Sequence, residues 1–306
     1  MLNEEYLIAQ DCPVCISNDK KLIFKDLVHT CNVLKKAGTL ISNEDATSNI
    51  YRCNKCGHKY LSPVIKNKYL NFYYEVAGSE YYDTIKDNPH DRIPSDTKKM
   101  ADFIEENCKG SKSVLEIGSG MGYLLQQLKI KGFNCTGVDP SAFASDFARK
   151  EFGLEVFTTI LDSNTFKNRK FDIVILCDVV EHIYEINKLI SLIKAYLNSD
   201  GNIVILTGNS DSIYAKVCAK KWLYFFSWEH ISFFNKKSIS QLFKNHGLKL
   251  QYFKAQQHSG SIWHNSKVFL FTLKSIIANK LGFRNHLFFY MSFDHLITIG
   301  KNVQQT

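Results

Sequence analysis

The sequence predicts an α/β fold: a parallel sheet with helices on its faces, preceded by a small metal-bound module. Three observations carry this. Residues 113–122 read Ser-Val-Leu-Glu-Ile-Gly-Ser-Gly-Met-Gly, a short apolar strand running into three glycines. Beyond it, apolar runs alternate with helical stretches, the order expected of a parallel sheet. Ahead of it stand two Cys-x-x-Cys pairs, Cys12/Cys15 and Cys53/Cys56.

The cysteine pairs come first in the chain. Two such knuckles can place four thiolates tetrahedrally around Zn²⁺. Gly57, directly after Cys56, supplies the tight turn that lets backbone amides face the sulfurs. Protein ligands fill all four positions, so such an ion is structural. His58 and Cys31 are reserve ligands. A redox pair would belong at a helix start in a thioredoxin-like setting, which is not found here. The expected organisation is a zinc ribbon over 1–65, an aromatic-rich linker over 66–95 and an α/β domain over 96–306. The linker region carries Tyr69, Phe72, Tyr73, Tyr74, Tyr81 and Tyr82. Those rings either pack the two parts together or line a pocket.

The α/β elements follow in order. Asp96–Cys108 is amphipathic, with Met100, Phe103 and Ile104 on one face. The strand Val114–Ile117 leads through Gly118, Gly120 and Gly122 into a helix from Tyr123 to Ile130. The next strand, Asn134–Val138, ends at Asp139, and Pro140 and Ser141 open a helix through Arg149. Glycines allow close backbone approach, and an acid at the next strand tip can bind both ribose hydroxyls of an adenosine. A pyrophosphate cofactor wants Gly-x-Gly-x-x-Gly. Here the spacing is Gly-x-Gly-x-Gly behind Glu116, which suits a cationic ligand without phosphate. Glu155–Phe157 reads as a short strand and Phe171–Cys177 as a buried parallel one. A helix over 186–197, a turn at Asp200-Gly201, a strand at 203–206, a helix over 237–246 and strands at 248–253 and 295–299 complete the pattern.

The glycine motif resembles the first motif of class I S-adenosylmethionine-dependent methyltransferases. Asp178-Val-Val-Glu-His182-Ile matches their fourth-strand motif. The resemblance implies cofactor contacts at Glu116, Gly118, Ser119, Gly120, Gly122, Asp139, Pro140 and Asp178. It also implies a last strand that is antiparallel and inserted between two neighbours. Cys-Pro-x-Cys, then Tyr51 to Pro63, then Phe72-Tyr-Tyr74, looks like a bacterial family that fuses a zinc ribbon to this domain. Its members are similar to sugar methyltransferases associated with surface-glycan or deoxysugar biosynthesis.

Methyl transfer to a hydroxyl benefits from a general base. Two histidines stand beside carboxylates after predicted strands: His182 after Glu181, and His230 after Glu229. His230 is the favoured base, with Glu229 beside it and His182 as the other candidate. The resembling family carries Tyr-x-Glu-His, where this chain has Ser227. It also carries proline before the asparagine equivalent to Asn209, where this chain has Gly208.

Composition bounds the partners. The 306 residues carry a net charge of +8, all of it beyond residue 92. The ribbon region is neutral, which argues against a nucleic-acid arm. The basic residues of 259–306 are dispersed rather than clustered. The expected partner is a small-molecule acceptor, a nucleotide-linked sugar or glycan precursor. An RNA or protein methyltransferase and a non-catalytic module keeping the fold are the alternatives. There is no export signal and no apolar run long enough to span a membrane, so a cytoplasmic location is expected.

Overall fold

The computed structural model describes residues 6–30, 45–76, 95–225, 229–256 and 295–302. Cys31, Tyr81, Tyr82, Ser227, Trp228 and most of the basic stretch 259–306 lie outside them.

β1 (Leu7–Ile8) pairs with β5 (Val64–Ile65), so the two ends of the N-terminal module are stitched together. Between them β2 (Lys20–Thr30), β3 (Asp45–Cys53) and β4 (Lys59–Ser62) form an antiparallel meander. α1 (Asn67–Val76) follows β5 directly.

α2 (Ser95–Asn107) buries Met100 and Ile104 as the sequence pattern requires. β6 (Ser113–Ile117), α3 (Tyr123–Ile130), β7 (Asn134–Asp139), α4 (Ala142–Phe152) and β8 (Glu155–Thr158) follow. Ser141 caps α4 by accepting the Ala144 N–H at 3.3 Å, and α4 runs one turn past Arg149 to its stop at Gly153. β9 (Phe171–Cys177) leads to a short 3₁₀ turn, Val180–His182, and then to α5 (Ile186–Tyr196). β10 (Leu197–Gly208) begins earlier than its apolar run. The turn expected at Asp200-Gly201 is absorbed as a register shift between Leu197 and Asn202. α6 (Ile213–Cys218), β11 (Ser232–Phe233), α7 (Lys236–Asn245), β12 (Leu248–Gln256) and β13 (His295–Asn302) close the described chain.

The main sheet has the order β12-β13-β10-β9-β6-β7-β8. β8, β7, β6, β9 and β10 are parallel, and β13 is antiparallel to both of its neighbours, β10 and β12. This is the Rossmann-like arrangement expected, with the last strand inserted. β9 is continuously apolar because helices cover both of its faces: Ile173 to Leu176 are all fully buried.

The ribbon sheet does not end at its own strands. β11 pairs with β4 and extends that sheet to β11-β4-β3-β2. Side-chain amides add ties to the ribbon backbone: Asn187 Nδ2 donates to the Pro13 carbonyl at 2.6 Å, and Asn245 Nδ2 to that of Val14 at 2.8 Å. Cys12, Val14 and Tyr60 share one buried cluster with Ile186, Phe234 and Ile239. Among the described residues no helix is long and apolar enough to cross a membrane.

Candidate active site

A cleft of about 330 Å³ opens at the carboxyl ends of β6, β7 and β9. Gly118, Gly120, Asp139, Pro140, Ile160 and Asp178 are among its lining residues. The chain leaves β6 at Gly118 with φ +69°, and a Cβ there would lie 2.6 Å from Val179 Cγ2. Only glycine serves at that corner. Asp139 Oδ2 accepts the Gly120 N–H at 2.7 Å and Oδ1 accepts that of Ser141 at 2.9 Å. The acid thereby ties the glycine loop to the tip of β7. Burial raises its pKa, and those two N–H groups oppose the rise. Glu116 is buried, and burial with Asp139 nearby pushes its carboxyl well above the usual range. Glu116 Oε2 and Ser119 Oγ are buried with no hydrogen-bond partner among the described residues. Neither side chain lines the cleft, so the contacts expected of them there are not seen. Gly122 plays another part: a Cβ there would meet Ala148 and Leu154, so it seats α3 against α4.

A polar cluster adjoins the cleft. His182, on its wall, ends the turn after β9. Its Nδ1 lies 3.1 Å from the Glu229 carbonyl and 3.0 Å from the Tyr74 hydroxyl. That hydroxyl donates to Glu229 Oε2 at 3.3 Å. His230 sits with its ring centroid 4.8 Å from that of His182, and its Nδ1 is 3.0 Å from the Tyr224 carbonyl. A carbonyl only accepts, so Nδ1 carries the proton on both rings and Nε2 is left as a base. Desolvation lowers His182 to about 3 and His230 to about 4. Both imidazoles are therefore neutral at physiological pH. Glu181 is fully buried beneath them, and burial beside Asp178 lifts its carboxyl to about 8. His295 Nε2 lies 3.4 Å from Asp178 Oδ1.

Two groups of side chains have metal-ligand chemistry. Cys12, Cys15, Cys53 and Cys56 bring four sulfurs within 4.8 Å of one another. The Sγ separations Cys12–Cys56 and Cys15–Cys53 are both 3.4 Å. Four thiolates at Zn–S distances of about 2.3 Å need such crowding, so the donor set fits zinc. His58, the reserve ligand, is stacked instead against Tyr60 and packed on Phe234. Glu181, His182 and His230 also bring one donor atom each within 4.8 Å. Both oxygens of Glu181 are engaged, by the Tyr224 and Thr207 hydroxyls. That marks this trio as a hydrogen-bonded cluster rather than an open ligand set.

The structure thus brings Gly118, Gly120, Asp139, Pro140, Asp178 and His182 to one cleft, with Glu229 and His230 beside it. Glu116 and Ser119 lie buried in the cofactor-motif segment, off the cleft wall. Sequence reasoning did not single out Tyr224, Thr207 or His295. Tyr74 and Tyr224 were visible only as members of aromatic runs, and His295 only as the start of a strand.

The fold and this cleft define a class I S-adenosylmethionine-dependent methyltransferase. Residues 90–252, more than half of the chain, match the family described as Methyltransferase domain, and the chain belongs to that family. Among curated proteins it is 32% identical over 120 residues to a ubiquinone biosynthesis O-methyltransferase of Actinobacillus pleuropneumoniae, covering 35% of this chain and 51% of the relative. It is 34% identical over 108 residues to the protein of the same description from Bradyrhizobium diazoefficiens, covering 34% and 42%. The chain spans about half the length of the curated relatives it matches. Among solved structures, a Haloferax volcanii methyltransferase in complex with its activator aligns with a TM-score of 0.51 at 16% identity, covering 75% of this chain and 99% of that one. The magnesium protoporphyrin IX methyltransferase of Synechocystis with bound SAH aligns at 0.50 and 15%, covering 77% and 99%. At such identities the likeness is one of fold.

Proposed function

We propose that this enzyme transfers a methyl group from S-adenosylmethionine to a hydroxyl of a small molecule, with His230 or His182 taking the proton. The observation that supports this reading is a pair of imidazoles on and beside the wall of the cleft, each with Nδ1 facing a backbone carbonyl and Nε2 turned from it. Asp139 is suited to the ribose hydroxyls, Gly118 and Gly120 to close backbone approach, and Pro140 and Asp178 to the rest of the cofactor. When bound, the cofactor supplies an already activated methyl on a sulfonium, so the protein's work is positioning and proton removal. His230 Nε2 would accept the proton of the acceptor hydroxyl, while the cofactor's sulfur would keep the electron pair of its broken bond to the methyl. Tyr74 and the Glu229 carbonyl hold His182 in the matching tautomer. The four cysteines hold a structural zinc.

The acceptor we favour is a nucleotide-linked sugar or glycan precursor. Support comes from the ribbon's resemblance to sugar methyltransferases and from the density of hydrogen-bonding groups around the two histidines. A second reading, a phenolic hydroxyl of a quinone precursor, is favoured by what the curated relatives are called.

The test incubates purified protein and methyl-labelled cofactor with cell extract split into small-molecule and macromolecular fractions. Label in small molecules, released as an O-methyl sugar or an O-methyl phenol, supports the proposal and separates its two acceptors. Label removed by ribonuclease or protease would sink it. His230→Gln is expected to lower turnover by about 10²–10⁴-fold if that residue is the base.

A further inference from the structure

Glu181 lies where it could disable the site. Its carboxylate oxygen and the donor nitrogens of His182 and His230 fall within 4.8 Å of one another. A buried carboxyl needs hydrogen-bond partners, and an imidazole that close is one it could take unless other groups hold its oxygens. Here they do. Thr207 Oγ1 donates to Glu181 Oε2 at 2.9 Å, and the Tyr224 hydroxyl donates to Oε1. The Gly208 N–H donates to the same hydroxyl at 3.0 Å and helps hold it against Oε1. Tyr224 also controls His230 in two other ways. Its ring stacks on the imidazole at 4.0 Å and 27°, and its carbonyl takes the Nδ1 proton at 3.0 Å. Trp222 backs the tyrosine at 5.0 Å and 16°.

Gly208 makes this arrangement possible. A Cβ there would lie 2.5 Å from Tyr224 Cε1 and Cζ. A proline, as in the resembling family, would in addition have no N–H to orient the hydroxyl. We infer that Tyr224, seated on Gly208, is a positioning residue: it keeps Glu181 off the imidazoles, so that both Nε2 atoms stay available to the acceptor. The inference rests on reading this cluster as the acceptor side of the methyl-transfer site.

The experiment is histidine ¹⁵N NMR on the full-length, zinc-loaded protein with saturating S-adenosylhomocysteine. In the wild type His182 and His230 should both be protonated at Nδ1. Tyr224→Phe keeps the stack and the carbonyl but frees Glu181 Oε1. It should leave S-adenosylhomocysteine affinity unchanged and move at least one Nε2 resonance as the carboxyl pairs with it. With an acceptor in hand, kcat should fall about tenfold at unchanged donor KM. Gly208→Ala, which displaces the ring, should give the same spectral change and serves if Tyr224→Phe does not bind the probe. A wild-type His230 protonated at Nε2 overturns the inference. So does an unchanged spectrum in a variant that binds the probe. Failure of the wild type to bind S-adenosylhomocysteine would instead overturn the proposed function itself.

Discussion

At the scale of single residues, burial moves the titration of the groups beside the cleft away from its ordinary range. His230 is lowered from 6.5 to about 4 by burial. Below pH 6.5 the unfolded chain binds a proton that the folded chain refuses, so stability falls as the pH drops from 6.5 towards 4. The shift corresponds to roughly 3 kcal/mol at most. Denaturant melts at several pH values should show this slope, and His230→Gln should make it shallower. Glu181 acts with the opposite sign. Its folded carboxyl keeps the proton up to about 8 while the unfolded one releases it near 4.5, so its contribution is lost as the pH rises between them. Methyl transfer should show no inflection near pH 6.5, because neither candidate base titrates there. A rate profile falling with an ordinary histidine value would show that His182 and His230 are not the bases. Gly118→Ala places a methyl 2.6 Å from Val179 at a positive φ. It should cost on the order of 1–3 kcal/mol of stability and weaken S-adenosylhomocysteine binding, both measurable by melting with and without that ligand.

At the scale of elements, the ribbon is joined by strand pairing to the segment that carries Glu229 and His230. β4 pairs with β11, which begins two residues after His230. The Leu61 N–H donates to the Ile231 carbonyl at 3.0 Å, and the Ile231 N–H to that of Glu181 at 2.9 Å. α1, leaving the ribbon, delivers Tyr74 to His182. If the four cysteines hold the proposed zinc, chelating it, or replacing Cys53 by Ser, should therefore loosen Glu229 and His230 as well as the ribbon. The expected result is zinc release measured with a chromogenic chelator, together with loss of methyl transfer and faster proteolysis around residues 226–235. Full activity in the zinc-free protein would contradict this coupling. Much of this scale was readable in advance. The strands around residues 113–117 and 171–177 and the glycine loop have local signals, a continuous apolar run or a positive-φ corner. β11 has none, because two residues form a strand only when a partner edge is present.

At the scale of the whole molecule, the two parts share a core. Cys12, Val14 and Tyr60 pack in one cluster with Ile186, Phe234 and Ile239. A chain beginning at residue 96 would expose Phe234 and leave β11 without its partner. It should be insoluble or lose cooperative melting, since each large apolar side chain so exposed costs about 1.5–3 kcal/mol. A cooperative transition in that shortened protein would show that the α/β part folds alone. The basic charge beyond residue 92 is compatible with an anionic acceptor, and the assay on extract fractions tests that.

What the sequence determined by itself was the fold class, the glycine loop with Asp139 and the four-cysteine set. Each is encoded in contiguous residues: hydrophobic period, turn-forming glycines, paired ligand spacing. Only the tertiary structure decided that Tyr74, Glu181, Tyr224, His182 and His230 meet. They come from segments up to 156 positions apart in the chain, and no local pattern records a hydrogen bond closed by packing. It likewise decided that the ribbon is a buttress rather than an appendage, because strand pairing between distant edges is set by the shape of both parts together.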